Sequence, residues 1–137
     1  MSPIAVIDFE TTGISPDQGA RATEVAIVLL EGGRVVDRFH SLMNAGTWVP
    51  PFITQLTGIT NAMVQAAPAA ASVMAEAARF VGNAPMVAHN AAFDRKFWQA
   101  ELALAGLPAG QPFACTVLLS RRLYPQAPNH QLGVLVD

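Results

Sequence analysis

Apolar and polar positions follow two rhythms along this chain, short dense blocks and wider helical spacing. Ile4-Ala5-Val6-Ile7 is a dense block, β-branched apart from Ala5, and it predicts a strand over residues 3–9 buried on both faces. Ala22 to Leu30 and Val35 to Met43 read as two more strands, with Glu31-Gly32-Gly33-Arg34 as the tight turn of a hairpin between them. Thr11 to Arg21, punctuated by Gly13, Pro16 and Gly19, reads as a loop. Gly46 to Pro51 is a turn-rich connection, and Pro51 opens a short helix to Leu56.

The helical rhythm begins near Pro68. A helix to Val81 puts Val73, Ala77, Phe80 and Val81 on one stripe, and Gly82 ends it. Pro85 to Ala88 is a strand. Asn90 then caps a helix to Ala105 on which Phe93, Phe97, Ala100 and Leu104 recur, with Gly106 and Pro108 as stop signals. Pro112 to Cys115 reads as a last short strand, followed by a helix over Val117 to Tyr124 and a further one capped by Asn129. A hairpin followed by strands alternating with helices implies an α/β domain, a mixed sheet with helices on its faces.

The first strand runs straight into Asp8-Phe9-Glu10-Thr11-Thr12-Gly13. Asp8 and Glu10 are two apart, so strand geometry turns both carboxylates to one face. Two acids converging at a strand end either repel each other at a cost in desolvation and charge, or share a cation. A hard ion such as Mg²⁺ or Mn²⁺ suits carboxylate oxygens. A second segment repeats the theme: Met86 to Ala88 leads into the polar corner His89-Asn90, with Asp94 one turn inside the next helix. In open α/β sheets, ligands collect beyond the carboxyl ends of the strands, where Asp8, Glu10, His89 and Asn90 fall.

Composition narrows the class. The chain has 137 residues, enough for one domain with a real core, and is 52% hydrophobic and 13% charged. The longest clean apolar run, Val25 to Leu30, is far short of the about 18 residues that suggest a membrane span. No basic region precedes the first apolar block, which argues against a signal peptide. A single cysteine, Cys115, excludes an internal disulfide and fits a reducing cytoplasm. Net charge is −2, and only Arg95-Lys96 and Arg121-Arg122 place basic residues side by side. That excludes a general duplex binder with a basic stripe, but not an enzyme gripping a few nucleotides at an end.

Asp-Phe-Glu-Thr-Thr-Gly and His-Asn-Ala-Ala-Phe-Asp together resemble the first and second motifs of the DEDD (DnaQ-like) 3′–5′ exonucleases, which include the proofreading subunits of replicative polymerases. Leu56-Thr57-Gly58-Ile59-Thr60, and Cys115-Thr116 followed by Leu118 to Pro125, fit the same pattern, so the resemblance spans nearly the whole chain. It implies a ribonuclease H-like fold of five strands, the second antiparallel to the rest. It also implies Asp8, Glu10 and Asp94 as metal ligands for two Mg²⁺ or Mn²⁺ ions, which drive in-line displacement at phosphorus. Thr11, Thr12 and Gly13 would hold the terminal nucleotide, with Phe9, Ile14, His89, Asn90 and Phe93 beside it and Leu56 to Ile59, Gly58 included, lining its pocket. Gly13 reads equally as a turn glycine, Asn90 as a plain cap, Ile14 and Phe93 as core. His40, Trp48 and His130 carry no chemistry that the sequence argues.

The family's last motif, a histidine base and an Asp five positions apart, has no counterpart after Asp94: five positions after His130 comes Leu135. The expectation is a single exonuclease domain over 1–137 that is incomplete at its C-terminus, with the last helix and its motif beyond Asp137. The expected activity is metal-dependent 3′–5′ exonuclease, histidine-base branch, on single-stranded nucleic acid 3′ ends, DNA favoured in proofreading or repair. A DNA polymerase subunit is a candidate partner, no membrane is, and the cytoplasm is the expected location. A short-RNA exonuclease and a non-catalytic end-binding or polymerase-anchoring module are the alternatives.

Overall fold

The computed structural model describes residues 3–115 of the chain. Its strands are β1 (Ile4–Thr11), β2 (Ala22–Glu31), β3 (Arg34–Leu42), β4 (Met86–Ala88) and β5 (Phe113–Cys115). Its helices are α1 (Pro51–Thr57), α2 (Asn61–Gln65), α3 (Ala70–Val81) and α4 (Ala91–Leu104). The sheet order is β3-β2-β1-β4-β5. β2 runs antiparallel to β1 and β3, while β4 and β5 run parallel to β1. This is the five-stranded mixed sheet that the sequence leads one to expect. The helices expected over 117–124 and after Asn129 lie outside the described residues.

The β2–β3 hairpin turns at Gly32 and Gly33, whose φ values of 61° and 79° lie in the left-handed region that only glycine enters at little cost. β1 is buried on one face, not on two. Ala5, Ile7, Phe9 and Thr11 are buried, whereas Ile4 and Asp8 are exposed and Val6 and Glu10 half-buried. The odd-numbered face meets Val25 and Ile27 of β2 and packs against Val73, Met74 and Ala77 of α3 and Phe97, Trp98 and Leu102 of α4. The even-numbered positions of β1 are therefore left to polar work at the strand's end.

Two helices differ from the sequence reading. α2 was not expected; it is a single turn and a half whose start is fixed by Thr60, which accepts a hydrogen bond from Met63 N–H at 3.1 Å. On α4 the buried positions are Asp94, Phe97, Trp98, Glu101 and Leu102. Leu104, expected on the inner stripe, is 65% exposed. The stripe is rotated because two of its members are acids, invisible to a count of apolar residues. Val49, Ile53, Ile59 and Val64 build a small second cluster under α1 and α2.

Candidate active site

The acid pair falls where β1 loses its parallel neighbour. β4 pairs with β1 only alongside Ala5 and Val6 and ends at Ala88. Beyond that point the β1 edge has no strand partner on this side, and a side chain takes its place: the Phe9 N–H donates to Asp94 Oδ1 at 3.2 Å. Asp94 can reach because Asn90 starts α4, accepting from Phe93 N–H through Oδ1 at 3.4 Å, which sets Asp94 in the first turn facing the sheet. Asp8 and Glu10 share the even face of β1, and Glu24 of β2 sits directly opposite Glu10 in register.

These carboxyls do not ionise independently. Asp94, 3% exposed, is pushed up to about 7, chiefly by burial and then by the charge of Asp8, against hydrogen bonds from the Phe9 and Asn90 amides. Although Asp8 keeps contact with solvent, partial desolvation of its carboxyl at the sheet end, followed by Glu24, raises it, while His89 pulls it the other way. Glu10 is raised by burial, then by Asp8 and Glu24. Oxygen donors that hold one another's protons in this way suit a hard cation. The donor chemistry thus fits Mg²⁺ or Mn²⁺. Among the described residues, however, no three Asp, Glu, His or Cys side chains converge closely enough to form a ready-made ligand set.

Beside the acids lies a groove of about 410 Å³ lined by Phe9, Glu10, Thr11, Gly13, Ile14 and Phe93 on one side and Phe52, Ile53, Leu56 and Thr57 of α1 on the other. Ile14 is 82% exposed, so it closes no core. Phe93 does both things expected of it, packing on Phe97 with ring centroids 4.9 Å apart while presenting an edge to the groove. Thr11 Oγ1 donates to Gly13 O at 2.7 Å, and Thr12 Oγ1 accepts from Arg21 N–H at 3.0 Å. Gly13 is not at a positive φ; a Cβ there would come within 3.2 Å of Ala20 Cβ, so close approach is what calls for glycine.

Gly58 and Ile59 do not line the groove. Gly58 caps α1 in the left-handed conformation, and Ile59 is buried in the small second cluster. Of the segment expected to line the pocket, Leu56 and Thr57 do reach the groove, joined by Phe52, which sequence reasoning missed although its spacing of four before Leu56 marks one helix face. Glu24 was missed too; it pairs with His40, which extends the acid face to the sheet edge. Trp48 is exposed. His130 lies outside the described residues.

Over residues 5–137 the sequence matches the family model RNase_T, described as an exonuclease. A 3′-5′ exonuclease DinG of Bacillus subtilis is 40% identical over 134 residues, which are 96% of this chain and 14% of that protein. A DNA polymerase III subunit epsilon-like protein of Rhodobacter capsulatus is 39% identical over 132 residues, 95% of this chain and 19% of that one. The chain thus spans less than a fifth of the length of these relatives. Among solved structures, exonuclease X in complex with 5′ overhanging duplex DNA superposes with a TM-score of 0.73 at 28% identity, over 96% of this chain and 70% of that one. E. coli exonuclease I in complex with an oligonucleotide superposes with a TM-score of 0.76 at 16% identity, over 94% and 32%, a likeness of fold alone.

Proposed function

This chain belongs to the RNase_T exonuclease family, and on that premise we propose that residues 1–137 belong to an exonuclease domain that removes nucleotides one at a time from the 3′ end of single-stranded DNA. The observation that carries the reading is the juxtaposition of Asp8, Glu10 and Asp94 with an apolar groove open enough for a nucleotide. Phosphodiester hydrolysis needs stabilised charge at phosphorus, and end selection needs a seat for one base beside it.

Asp8, Glu10 and Asp94 are the proposed ligands for two Mg²⁺ or Mn²⁺ ions. When bound, such ions stabilise charge on the phosphate and make water a better nucleophile at neutral pH. The chain's own residues do the rest. Ile14 offers an exposed apolar side chain and the half-buried Phe93 a ring against which a base can pack, with Phe9 buried behind them, a contact that is sequence-tolerant because every base has a π-face. The Thr11 to Gly13 backbone forms the near wall, and His89 and Asn90 mark the corner toward the phosphate.

DNA is favoured over RNA because the relatives include DNA polymerase III proteins and exonuclease X is seen in complex with duplex DNA. Relatives named for DNA polymerase III make a polymerase subunit the proposed partner. Among the described residues no helix is long and apolar enough to cross a membrane, and the cytoplasm, where DNA is copied in bacteria, is the proposed location.

The test uses the full-length protein with Mn²⁺ and single-stranded DNA or RNA labelled at the 5′ end. A ladder shortening from the 3′ end, faster on DNA and abolished by Asp8→Ala, is the expected result. Preference for short RNA would move the substrate, and tight binding without cleavage would make the domain an end-binding module.

A further inference from the structure

Among the described residues, the more buried of the ion pairs stands outside the acid cluster and has no part in the chemistry above. Glu101, on α4, is 2% exposed. It accepts two parallel hydrogen bonds from Arg21, from Nε and from NH2, each at 2.9 Å, and a third from the Ala22 N–H at 3.0 Å. Arg21 in turn reaches Ala45 O through NH1 at 3.4 Å. Its backbone is tied at both ends to one residue: Arg21 N–H donates to Thr12 Oγ1 at 3.0 Å, and Thr12 N–H donates to Arg21 O at 2.9 Å.

Thr12 is the residue that most needs such a tie. The β1–β2 register shifts between Glu10 and Thr11 and the pairing closes at Thr11–Ala22, so beyond the Thr12–Arg21 bonds no ladder holds the chain that follows. That chain is Gly13 and Ile14, the near lip of the groove. Glu101 lies seven positions after Asp94 on the same buried face of α4, about 10 Å along the helix. One rigid element therefore fixes Asp94 against β1 with its first turn and Thr12 against the sheet with its third.

We propose that Arg21 and Glu101 are a positioning pair that sets the Thr12–Ile14 lip at a fixed distance from the acid cluster, and so governs the grip on the 3′-terminal nucleotide rather than the cleavage step. The proposal rests on the exonuclease reading for its substrate. A planar guanidinium fork on a carboxylate fixes direction as well as distance, which a lysine cannot do.

The experiment compares Arg21→Lys, Glu101→Gln and Thr12→Val with wild type in the full-length protein. It reads KM and kcat on single-stranded DNA with Mn²⁺, anisotropy of a labelled oligothymidylate in EDTA, and hydrogen exchange at the amides of residues 12–14. KM and the anisotropy Kd should each rise about fivefold or more, kcat should stay within about twofold, and exchange at the lip should quicken. Thr12→Val touches no buried charge, so the lost Arg21 N–H bond should lower its melting temperature by no more than about 5 °C while the lip exchange still quickens, which separates the effect from loss of fold. Unchanged KM and lip exchange in all three variants would overturn the pair's role, as would a loss confined to kcat. If wild type neither cleaves nor binds DNA, the exonuclease reading fails instead, and lip exchange alone then decides whether the clamp exists.

Discussion

Asp94 Oδ1 accepts the backbone N–H of Phe9 at 3.2 Å, closing the β1 edge where β4 has ended. The contact makes a proposed metal ligand part of the sheet as well. A carboxylate held between two roles should report on both, through stability and through ion binding.

In EDTA, the protein should therefore lose stability as pH rises from about 4 to about 7. An unfolded Asp ionises near about 3.9, whereas Asp94 in the fold holds its proton up to about 7. Between those values the folded state binds a proton that the unfolded state has released, so rising pH favours unfolding, and the cost is complete above about 7. Asp8 and Glu10 are raised too and act in the same direction. Asp94→Asn should flatten the dependence without abolishing it and should be more stable than wild type at pH 8 without metal. Urea midpoints across this range check the sign, and saturating Mn²⁺ should reverse the order of the two proteins.

The one-sided burial of β1 predicts a contrast within four residues. Ile7 is fully buried and Ile4 is 40% exposed. Ile7→Ala should cost about 2–5 kcal/mol, as for other buried large-to-small changes. Ile4→Ala should cost about 1 kcal/mol or less. Equal losses in denaturant melts would mean that the even face is covered as well as the odd one.

Ile14→Ala tests the groove apart from the acids. Its side chain stands in solvent, so stability should move by no more than about 0.5 kcal/mol. Binding of single-stranded DNA should weaken about threefold to tenfold, as expected for losing roughly 1 kcal/mol of apolar contact with a base. Unaltered affinity by anisotropy would remove Ile14 from the groove's working wall.

Asn90→Ala should cost about 1 kcal/mol through the lost cap. It should also loosen Mn²⁺ binding measured by calorimetry, because the first turn of α4 carries Asp94. A stability loss with no change in ion affinity would show that Asp94 is held by Phe9 rather than by the start of its helix.

Much of this arrangement can be read from residues alone, and what cannot has particular causes. Asp8 and Glu10 on one face follow from strand alternation, the hairpin from Gly32-Gly33, and the start of α4 from Asn90. Each is a local signal within a few positions. The Arg21–Glu101 clamp joins residues 80 apart in sequence, and no local pattern encodes it. The inner stripe of α4 was misplaced because burial there is earned by pairing, with Glu101 satisfied by Arg21 and Asp94 by the Phe9 amide, where apolar spacing favours Leu104. Phe52 was missed from the groove wall because an exposed apolar residue on a seven-residue helix looks the same whether it packs or waits for a ligand.

The alternation of β1 has a consequence for how such a domain can change. Its odd positions assemble the core and its even positions carry the charge, so the two tasks draw on separate letters of one short word. A substitution at Asp8 or Glu10 can silence the chemistry while every core contact of the strand survives. A single inserted or deleted residue ahead of Ile7 does the opposite, swinging acids inward and isoleucine outward along the whole strand. Lineages built on this strand can therefore shed catalysis one letter at a time and keep a folded shell with its groove, but they cannot shift its frame.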